Sequence, residues 1–128
     1  MTFPSKATRV RLLLVEDDRS HAGAIINLLG EGFEVVHALD GREARARLAA
    51  DDAFDVILSD IMMPRVTGFA LLDWVRTEKP ALEHRVVFVT TDPEGSLARC
   101  LGKTHRVLRK PLSADDLHRA VREVTSGR

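Results

Sequence analysis

The sequence predicts an α/β protein in which a five-stranded parallel sheet is covered by helices on both faces. Short, continuous apolar runs alternate along the chain with longer segments of helical period. The apolar runs lack the in-and-out alternation of a half-exposed sheet, which indicates strands that are buried on both sides. Five such runs in strict alternation with five helical segments are typical of an open, doubly wound sheet.

The five predicted strands are short and rich in aliphatic residues. The clearest is Val10–Val15, whose sequence VRLLLV indicates a strand buried on both faces. The run with the weakest pattern is Arg106–Arg109. The other three strands are predicted at Glu34–Leu39, Val56–Ser59 and Val86–Thr90.

The five predicted helices differ in the strength of their signals. The first, Ser20–Leu29, collects isoleucines and leucines on one broad side, and Gly30 follows it as a stop. The last begins after Ser113, which has the N-cap spacing to Asp116 three residues later. The remaining helices are predicted at Arg42–Ala50, Phe69–Thr77 and, with a poor pattern, Pro93–Leu101.

Length and composition predict one compact, cytoplasmic domain. The 128 residues fit a single core, with residues 1–8 as a flexible N-terminal arm, 9–125 as the domain and 126–128 as a tail. Lys plus Arg and Asp plus Glu both number 19, so overall charge gives no reason to bind nucleic acid or anionic membranes. The chain has one cysteine, no signal-peptide pattern and no apolar run near the roughly 20 residues of a membrane helix.

Polar side chains stand at the carboxyl ends of four predicted strands. Glu16 and Asp17 follow the first strand, Asp60 follows the third, Thr90 ends the fourth and Lys110 follows the fifth. Ligands of doubly wound sheets bind outside this edge. Clustered carboxylates resist joint ionisation, and Mg²⁺ relieves that conflict because it prefers carboxylate oxygens and water. The set therefore predicts a magnesium site beside a phosphoryl-accepting aspartate, with Lys110 and the Thr90 hydroxyl available to phosphoryl oxygens.

Each of these residues also has a purely structural explanation. An aspartate after a strand usually caps a turn or helix, and the Glu16-Asp17-Asp18 run favours the start of the next helix. Thr90 suits a strand through its β-branch, and Lys110-Pro111 is compatible with an ordinary turn. These explanations do not account for polar groups at four strand ends along one edge of the sheet.

The residues quoted above carry a resemblance to a known family. The segment LLVEDD at 13–18, the segment SDIMMP at 59–64 with Gly68, then Thr90 and Lys110-Pro111, resemble the signature of response-regulator receiver domains. The resemblance extends over roughly Arg9 to Val124 in the family's order and spacing. It implies a flavodoxin-like fold with strand order 2-1-3-4-5.

The resemblance also implies roles for individual residues. Asp60 matches the acceptor of a phosphoryl group from a phosphohistidine, carried by a sensor histidine kinase or a histidine phosphotransfer protein. The Mg²⁺ ligands implied are Asp60, Asp17, Glu16 through water, and the backbone carbonyl of Met62. Lys110 matches the phosphate-binding lysine and Thr90 the switch hydroxyl.

The resemblance has two further implications, for the residue after Thr90 and for the residue after Lys110. Thr91 occupies the usually small position that controls access to the aspartate. The bond between Lys110 and Pro111 is expected to be cis.

Two features depart from the family pattern. Relatives often carry Tyr or Phe three residues before the lysine, whereas this chain has Val107, which offers no comparable rotamer swing. The stretch between Thr90 and Lys110 looks shortened, so the fourth helix is expected to be short, altered or mobile. Both features resemble receivers attached to hybrid histidine kinases.

The predicted function is that of a single-domain response regulator, working as a phosphorylation-dependent switch or as a phosphorelay carrier. It is not expected to be an enzyme beyond Mg²⁺-dependent self-phosphorylation and autodephosphorylation. Little sequence follows the last predicted helix, so output is expected to pass through an unidentified protein partner.

Two alternatives remain at this point. One is an interaction module with the same fold whose binding does not depend on phosphorylation, which the valine at 107 and the irregular fourth helix favour. The other is a phosphatase of the haloacid type, which is disfavoured because Asp60 lacks the second aspartate of an Asp-x-Asp motif. Glycine-rich nucleotide-binding loops are absent from the sequence.

Overall fold

The computed structural model describes residues 9–63 and 65–126, which form a single five-stranded parallel sheet of order β2-β1-β3-β4-β5. The predicted fold class and strand order are therefore confirmed. The strands are β1 Val10–Val15, β2 Phe33–Ala38, β3 Val56–Asp60, β4 Val86–Thr90 and β5 Val107–Arg109. The helices between and after them are α1 Arg19–Leu29, α2 Gly41–Ala50, α3 Gly68–Glu78, α4 Ser96–Leu101 and α5 Ala114–Ser126.

The sheet separates two apolar cores, and β1 shows why its sequence is a continuous apolar run. Leu12 and Leu14 face the core that contains buried residues of α1 and α5, whereas Leu13 and Val15 face the core shared with α2, α3 and α4. All four side chains are fully buried. The part of the strand that is covered on both sides, Leu12–Val15, is therefore entirely apolar, whereas Arg11 lies at its partly exposed start and pairs with Glu34.

The edge strand β2 corrects part of the prediction. It runs from Phe33 rather than Glu34 and ends at Ala38 rather than Leu39, because Phe33 pairs with Val10 at the start of β1. Only Ala38 is fully buried in this strand, so its hydrophobicity does not indicate burial on both faces.

Local signals place the helix ends beside the sheet. The Asp18 carboxylate accepts a hydrogen bond from His21 N at 3.0 Å and caps α1, which ends before Gly30 at a left-handed φ of 80°. Ser113 Oγ accepts a hydrogen bond from Asp116 N at 3.1 Å, which confirms the predicted cap of α5. Thr67 caps α3 in the same way through Ala70 N.

Other segments also differ from the prediction. The helices α1, α2 and α3 each begin one residue earlier, α3 ends one residue later, and β3 includes Asp60. A 3₁₀ helix, Pro80–Arg85, follows α3 where no helix was predicted; proline is favoured at such a first position because it lacks the N–H. The fourth helix begins at Ser96 rather than Pro93, because a turn with a Gly95 N to Asp92 O bond precedes it. The weakest strand, β5, starts at Val107 rather than Arg106.

The predicted N-terminal arm at 1–8 and residues 127–128 of the predicted tail lie outside the described residues. Ser126 closes α5, so the helix extends one residue past the predicted domain boundary at 125. Among the described helices, none combines the length and apolarity that crossing a bilayer requires.

Candidate functional site

Three carboxylates meet at the carboxyl ends of β1 and β3. These strands are neighbours, and Val15 pairs with Ser59, so Glu16 and Asp60 leave the sheet side by side. One carboxylate oxygen from each of Glu16, Asp17 and Asp60 lies within 4.8 Å of the others. The structure thus brings together the acidic side chains that the sequence predicted as metal ligands. Their hard oxygen donors fit a divalent cation such as Mg²⁺.

Glu16 is the most deeply buried member of this acidic group. Its side chain is 1% exposed, and its carboxylate accepts hydrogen bonds from Lys110 Nζ at 2.7 Å and from Asp18 N at 3.2 Å. His37 on the edge strand contacts the Glu16 backbone oxygen through Nε2 at 2.8 Å. A buried carboxylate is tolerated only when such partners replace water.

Lys110 connects β5 to the acidic group. Its backbone N donates to Thr90 O at 2.8 Å, and its peptide bond to Pro111 is cis, as the resemblance implies. The ammonium donates to Glu16 Oε2 and, at 3.2 Å, to Asp60 Oδ2. Burial alone would lower the pKa of Lys110, but the hydrogen bonds and charges of the two carboxylates outweigh it and raise that pKa.

The Asp60 carboxyl resists ionisation. Burial raises its pKa above the ordinary value, and the neighbouring Glu16 charge raises it further, while Lys110 acts in the opposite direction without cancelling the other effects. Its side chain is 13% exposed, so an incoming group retains access. A bound divalent cation would favour the charged carboxylate that a nucleophilic role needs.

Gly68 allows the loop after β3 to fold back onto the strand end. Its N donates to Ile61 O at 2.7 Å, and a Cβ at this position would lie 2.8 Å from Asp60 O and 3.0 Å from Ile61 Cα. The close backbone approach leaves no room for a larger residue. The glycine in the family signature is therefore explained by packing against the candidate acceptor residue.

Thr90 ends β4 with its side chain almost fully buried. Its Oγ1 accepts a hydrogen bond from Asp92 N at 3.1 Å, and the hydroxyl proton remains available for donation. Thr91 is exposed and lines a groove together with Lys110 and Pro111. Met62 is 62% exposed. The group of Met62 that is predicted to bind the metal is its backbone carbonyl and not its side chain.

The observed site differs from the predicted one at two residues. Asp18 caps α1, so for this one acidic residue the structural explanation holds. His21 was not predicted to belong to the site, yet its Nδ1 lies 3.2 Å from Lys110 Nζ. No local signal in the sequence indicates this contact, because Lys110 lies 89 positions away.

Val107 occupies the position for which the family resemblance leads us to expect an aromatic residue. It is partly buried and packs against the core that lies under α4. The helix itself has only six residues, Ser96–Leu101, which confirms the expected shortness.

The family model described as the response regulator receiver domain matches residues 12–122. The chain belongs to this family. Receiver domains act in two-component signalling, where histidine kinases are their partners.

Curated relatives and solved structures agree with this assignment. The transcriptional regulatory protein CpxR of Klebsiella pneumoniae is 36% identical over 107 residues, which cover 83% of this chain and 40% of that protein. The chemotaxis response regulator CheY4 of Vibrio cholerae is 32% identical, with a TM-score of 0.76 and coverage of 91% of this chain and 99% of CheY4.

A receiver from a histidine kinase is also similar. The signal receiver domain of a signal transduction histidine kinase from Syntrophus aciditrophicus is 28% identical, with a TM-score of 0.74, covering 92% of this chain and 91% of that one. The matched part of the present chain covers 40% of the length of CpxR and 38% of the length of a second regulator, YcbL of Bacillus subtilis.

Proposed function

We propose that Asp60 accepts a phosphoryl group from a phosphohistidine of a sensor histidine kinase or histidine phosphotransfer protein. The chain then works as a phosphorylation-dependent switch or as a phosphorelay carrier. The observation that carries this proposal is the contact of the Asp60 carboxylate with the Lys110 ammonium at 3.2 Å, at an accessible strand end lined by Glu16 and Asp17.

The reaction needs a free carboxylate oxygen and a place for the charge of the phosphoryl group. The Asp60 oxygen forms the bond to phosphorus while the bond from phosphorus to the donor imidazole breaks. The electron pair of that bond stays on the imidazole nitrogen, which takes up a proton. Lys110 is placed to stabilise the negative phosphoryl oxygens, and the Thr90 hydroxyl to donate to one of them.

The residues fit a magnesium ion as the cofactor of this reaction. Asp17 and Asp60 would supply carboxylate oxygens, Glu16 would act through water, and Met62 would offer its backbone carbonyl. When bound, Mg²⁺ supplies positive charge that offsets the crowded carboxylates and the incoming phosphoryl oxygens. The protein's own contribution is to orient Asp60 and to hold Lys110 beside it.

Beryllofluoride, a mimic of the phosphoryl group, tests the proposal directly. With Mg²⁺ present, it should shift the backbone amide resonances around Asp60, Thr90 and Lys110 in the wild type, and not in Asp60→Asn. Acetyl phosphate with Mg²⁺ should add the mass of one phosphoryl group to the wild type alone. No response in the wild type, or an equal response in the variant, would sink the proposal.

A second candidate function is an interaction module that binds its partner regardless of phosphorylation. Val107 and the six-residue α4 favour it, because both depart from the family pattern described in the sequence analysis. It predicts the same affinity of a purified histidine kinase or downstream partner for the beryllofluoride-bound wild type and for Asp60→Asn. A difference in affinity, measured by titration calorimetry, excludes it.

A further inference from the structure

His21 lies against the Lys110 ammonium at the start of α1. Its Nδ1 is 3.2 Å from Lys110 Nζ and 3.7 Å from Glu16 Oε1, and its Nε2 is 3.9 Å from Asp18 Oδ2. The side chain is 48% exposed, so its outer edge faces water. The imidazole is therefore the outermost of the groups that contact Lys110.

The contact fixes the state of the imidazole. An ammonium group has only donors, so His21 Nδ1 must accept the hydrogen bond with its lone pair. The ring proton then lies on Nε2, toward the Asp18 carboxylate. The 3.7 Å separation from Glu16 is too long for a hydrogen bond, and a protonated Nδ1 would face the Lys110 charge. His21 Nδ1 is thus the acceptor in its contact with Lys110.

All three N–H groups of Lys110 have acceptors in this structure. They are Glu16 at 2.7 Å, Asp60 at 3.2 Å and His21 at 3.2 Å. A phosphoryl oxygen that binds Lys110 must therefore displace one of them. The bonds to Glu16 and Asp60 are charge-assisted and largely shielded from water, which makes both more costly to break than the bond to the half-exposed His21 imidazole. Asp60 also keeps a carbonyl oxygen as an acceptor once it carries a phosphoryl group. Water can satisfy His21 Nδ1 once its bond is lost.

We propose that His21 is a positioning residue that holds Lys110 in the unphosphorylated state and is displaced when a phosphoryl group arrives on Asp60. The inference rests on the proposed function of Asp60. It assigns to His21 a direct competition with the phosphoryl oxygens for one donor of Lys110. The ring also lines the groove formed with Ile25, Leu28 and Leu112, so its release alters that surface. This route from Lys110 to the surface requires no aromatic residue at 107.

The affinity for beryllofluoride at saturating Mg²⁺ tests the competition. His21→Ala should bind beryllofluoride about two- to tenfold more tightly than the wild type, because this is the usual net contribution of one hydrogen bond to an equilibrium. His21→Asn keeps an acceptor oxygen near the position of Nδ1 and should stay within about twofold of the wild type. His84→Ala, at an exposed histidine of the 3₁₀ helix, is the matched control and should leave the affinity unchanged.

Two further readouts separate positioning from a general effect on folding. The Mg²⁺ affinity should not change in His21→Ala, because all three carboxylates remain. The ring ¹⁵N resonances of His21 should move when beryllofluoride binds to the wild type and stay in place in Asp60→Asn.

The inference is overturned if the wild type binds beryllofluoride while the His21 ring resonances keep their free values. It is also overturned if His21→Ala binds no more tightly than the wild type. A wild type that does not respond to beryllofluoride at all contradicts the proposed function itself, and the inference falls with it.

Discussion

Lys110 and Glu16 are 94 residues apart in the sequence, yet the ammonium donates to the carboxylate at 2.7 Å. The two side chains are 9% and 1% exposed, so the ion pair is almost completely removed from water. It joins the ends of β1 and β5, which are separated in the sheet by β3 and β4. A pair of this kind costs desolvation energy to form, and loss of one partner leaves the other charge uncompensated.

Lys110→Met should therefore destabilise the protein markedly. We expect the free energy of unfolding to fall by about 3–5 kcal/mol, the range for breaking a buried ion pair on one side. Urea unfolding at neutral pH in the presence of a chelator measures the loss. Added Mg²⁺ should recover part of it, because a cation replaces the missing positive charge beside the carboxylates.

Lys79→Met provides the control for the Lys110 variant. Lys79 contacts Asp52 at 3.1 Å in a pair whose carboxylate is exposed, so the loss should stay below about 1 kcal/mol. Equal destabilisation by the two substitutions would contradict the special role of the buried pair.

The raised pKa of Asp60 makes stability depend on pH in a definite direction. In the folded state, burial and the Glu16 charge raise this pKa above the ordinary value of 3.8. Between pH 3.8 and the native pKa, the native protein therefore holds a proton that the unfolded chain has released. Stability from this group is present below pH 3.8 and is lost as the pH rises through the native pKa. Ionised Asp60 thus opposes folding at neutral pH when no metal is bound.

Asp60→Asn should consequently be more stable than the wild type at neutral pH in a chelating buffer. The difference should be about 0.5–3 kcal/mol, the range of interaction energies between residues that share one hydrogen-bond or salt-bridge network. It should shrink as the pH is lowered toward the ordinary pKa of a carboxyl group. Urea titrations of both proteins across this range measure the difference, and a wild type that gains on the variant as the pH rises would contradict the assignment.

The acidic residues of the site were predictable because the signals for strand ends are local in the sequence. Each buried strand is a continuous apolar run, and a charged residue that interrupts the run marks the strand end. The strand order 2-1-3-4-5, which the family resemblance implies, makes the first and third strands neighbours and so places Asp60 beside Glu16. For the same reason the order of the five strands and five α-helices along the chain was predicted correctly.

The parts that were missed depend on contacts between distant residues. His21 approaches Lys110 across 89 positions, and His37 reaches the Glu16 carbonyl across 21. Nothing near either histidine in the sequence indicates its partner. The start of α4 was misplaced because the Asp92 amide is held by Thr90, which keeps the following turn out of the helix. The 3₁₀ helix was missed because Pro80 indicates a helix stop as readily as a new start.

Asp17 and Asp18 are adjacent, but only substitution of Asp17 should reduce the stabilisation of the fold by Mg²⁺. Ligand binding to the native state stabilises it by about 2.7 kcal/mol at one hundred times the dissociation constant. Asp17 belongs to the acidic group, so Asp17→Asn should lose most of the stabilisation by Mg²⁺. Asp18 caps α1, and Asn is an equally good cap, so Asp18→Asn should keep it. Thermal unfolding with and without Mg²⁺ compares the two, and an equal loss would remove Asp17 from the metal site.

Two glycines offer a test of the packing beneath Asp60. A Cβ at Gly68 would lie 2.8 Å from Asp60 O and 3.0 Å from Phe88 Cε1, and the backbone atom cannot move without shifting the end of β3. Gly68→Ala should lower the free energy of unfolding by about 1–3 kcal/mol, the usual cost of overpacking. Because the strain falls on the strand end that carries Asp60, the variant should also bind beryllofluoride more weakly.

Gly23 is the matched position because a Cβ there meets nothing within 4 Å in the middle of α1. Gly23→Ala should raise the free energy of unfolding by about 0.5–1 kcal/mol, since alanine loses less backbone entropy in a helix. Urea unfolding and beryllofluoride titration of both variants check the pair. If Gly68→Ala proved as stable as Gly23→Ala, the close approach of residue 68 to Asp60 would not exist in solution. A destabilised Gly68→Ala with unchanged beryllofluoride affinity would show instead that the strain does not reach the acceptor carboxylate.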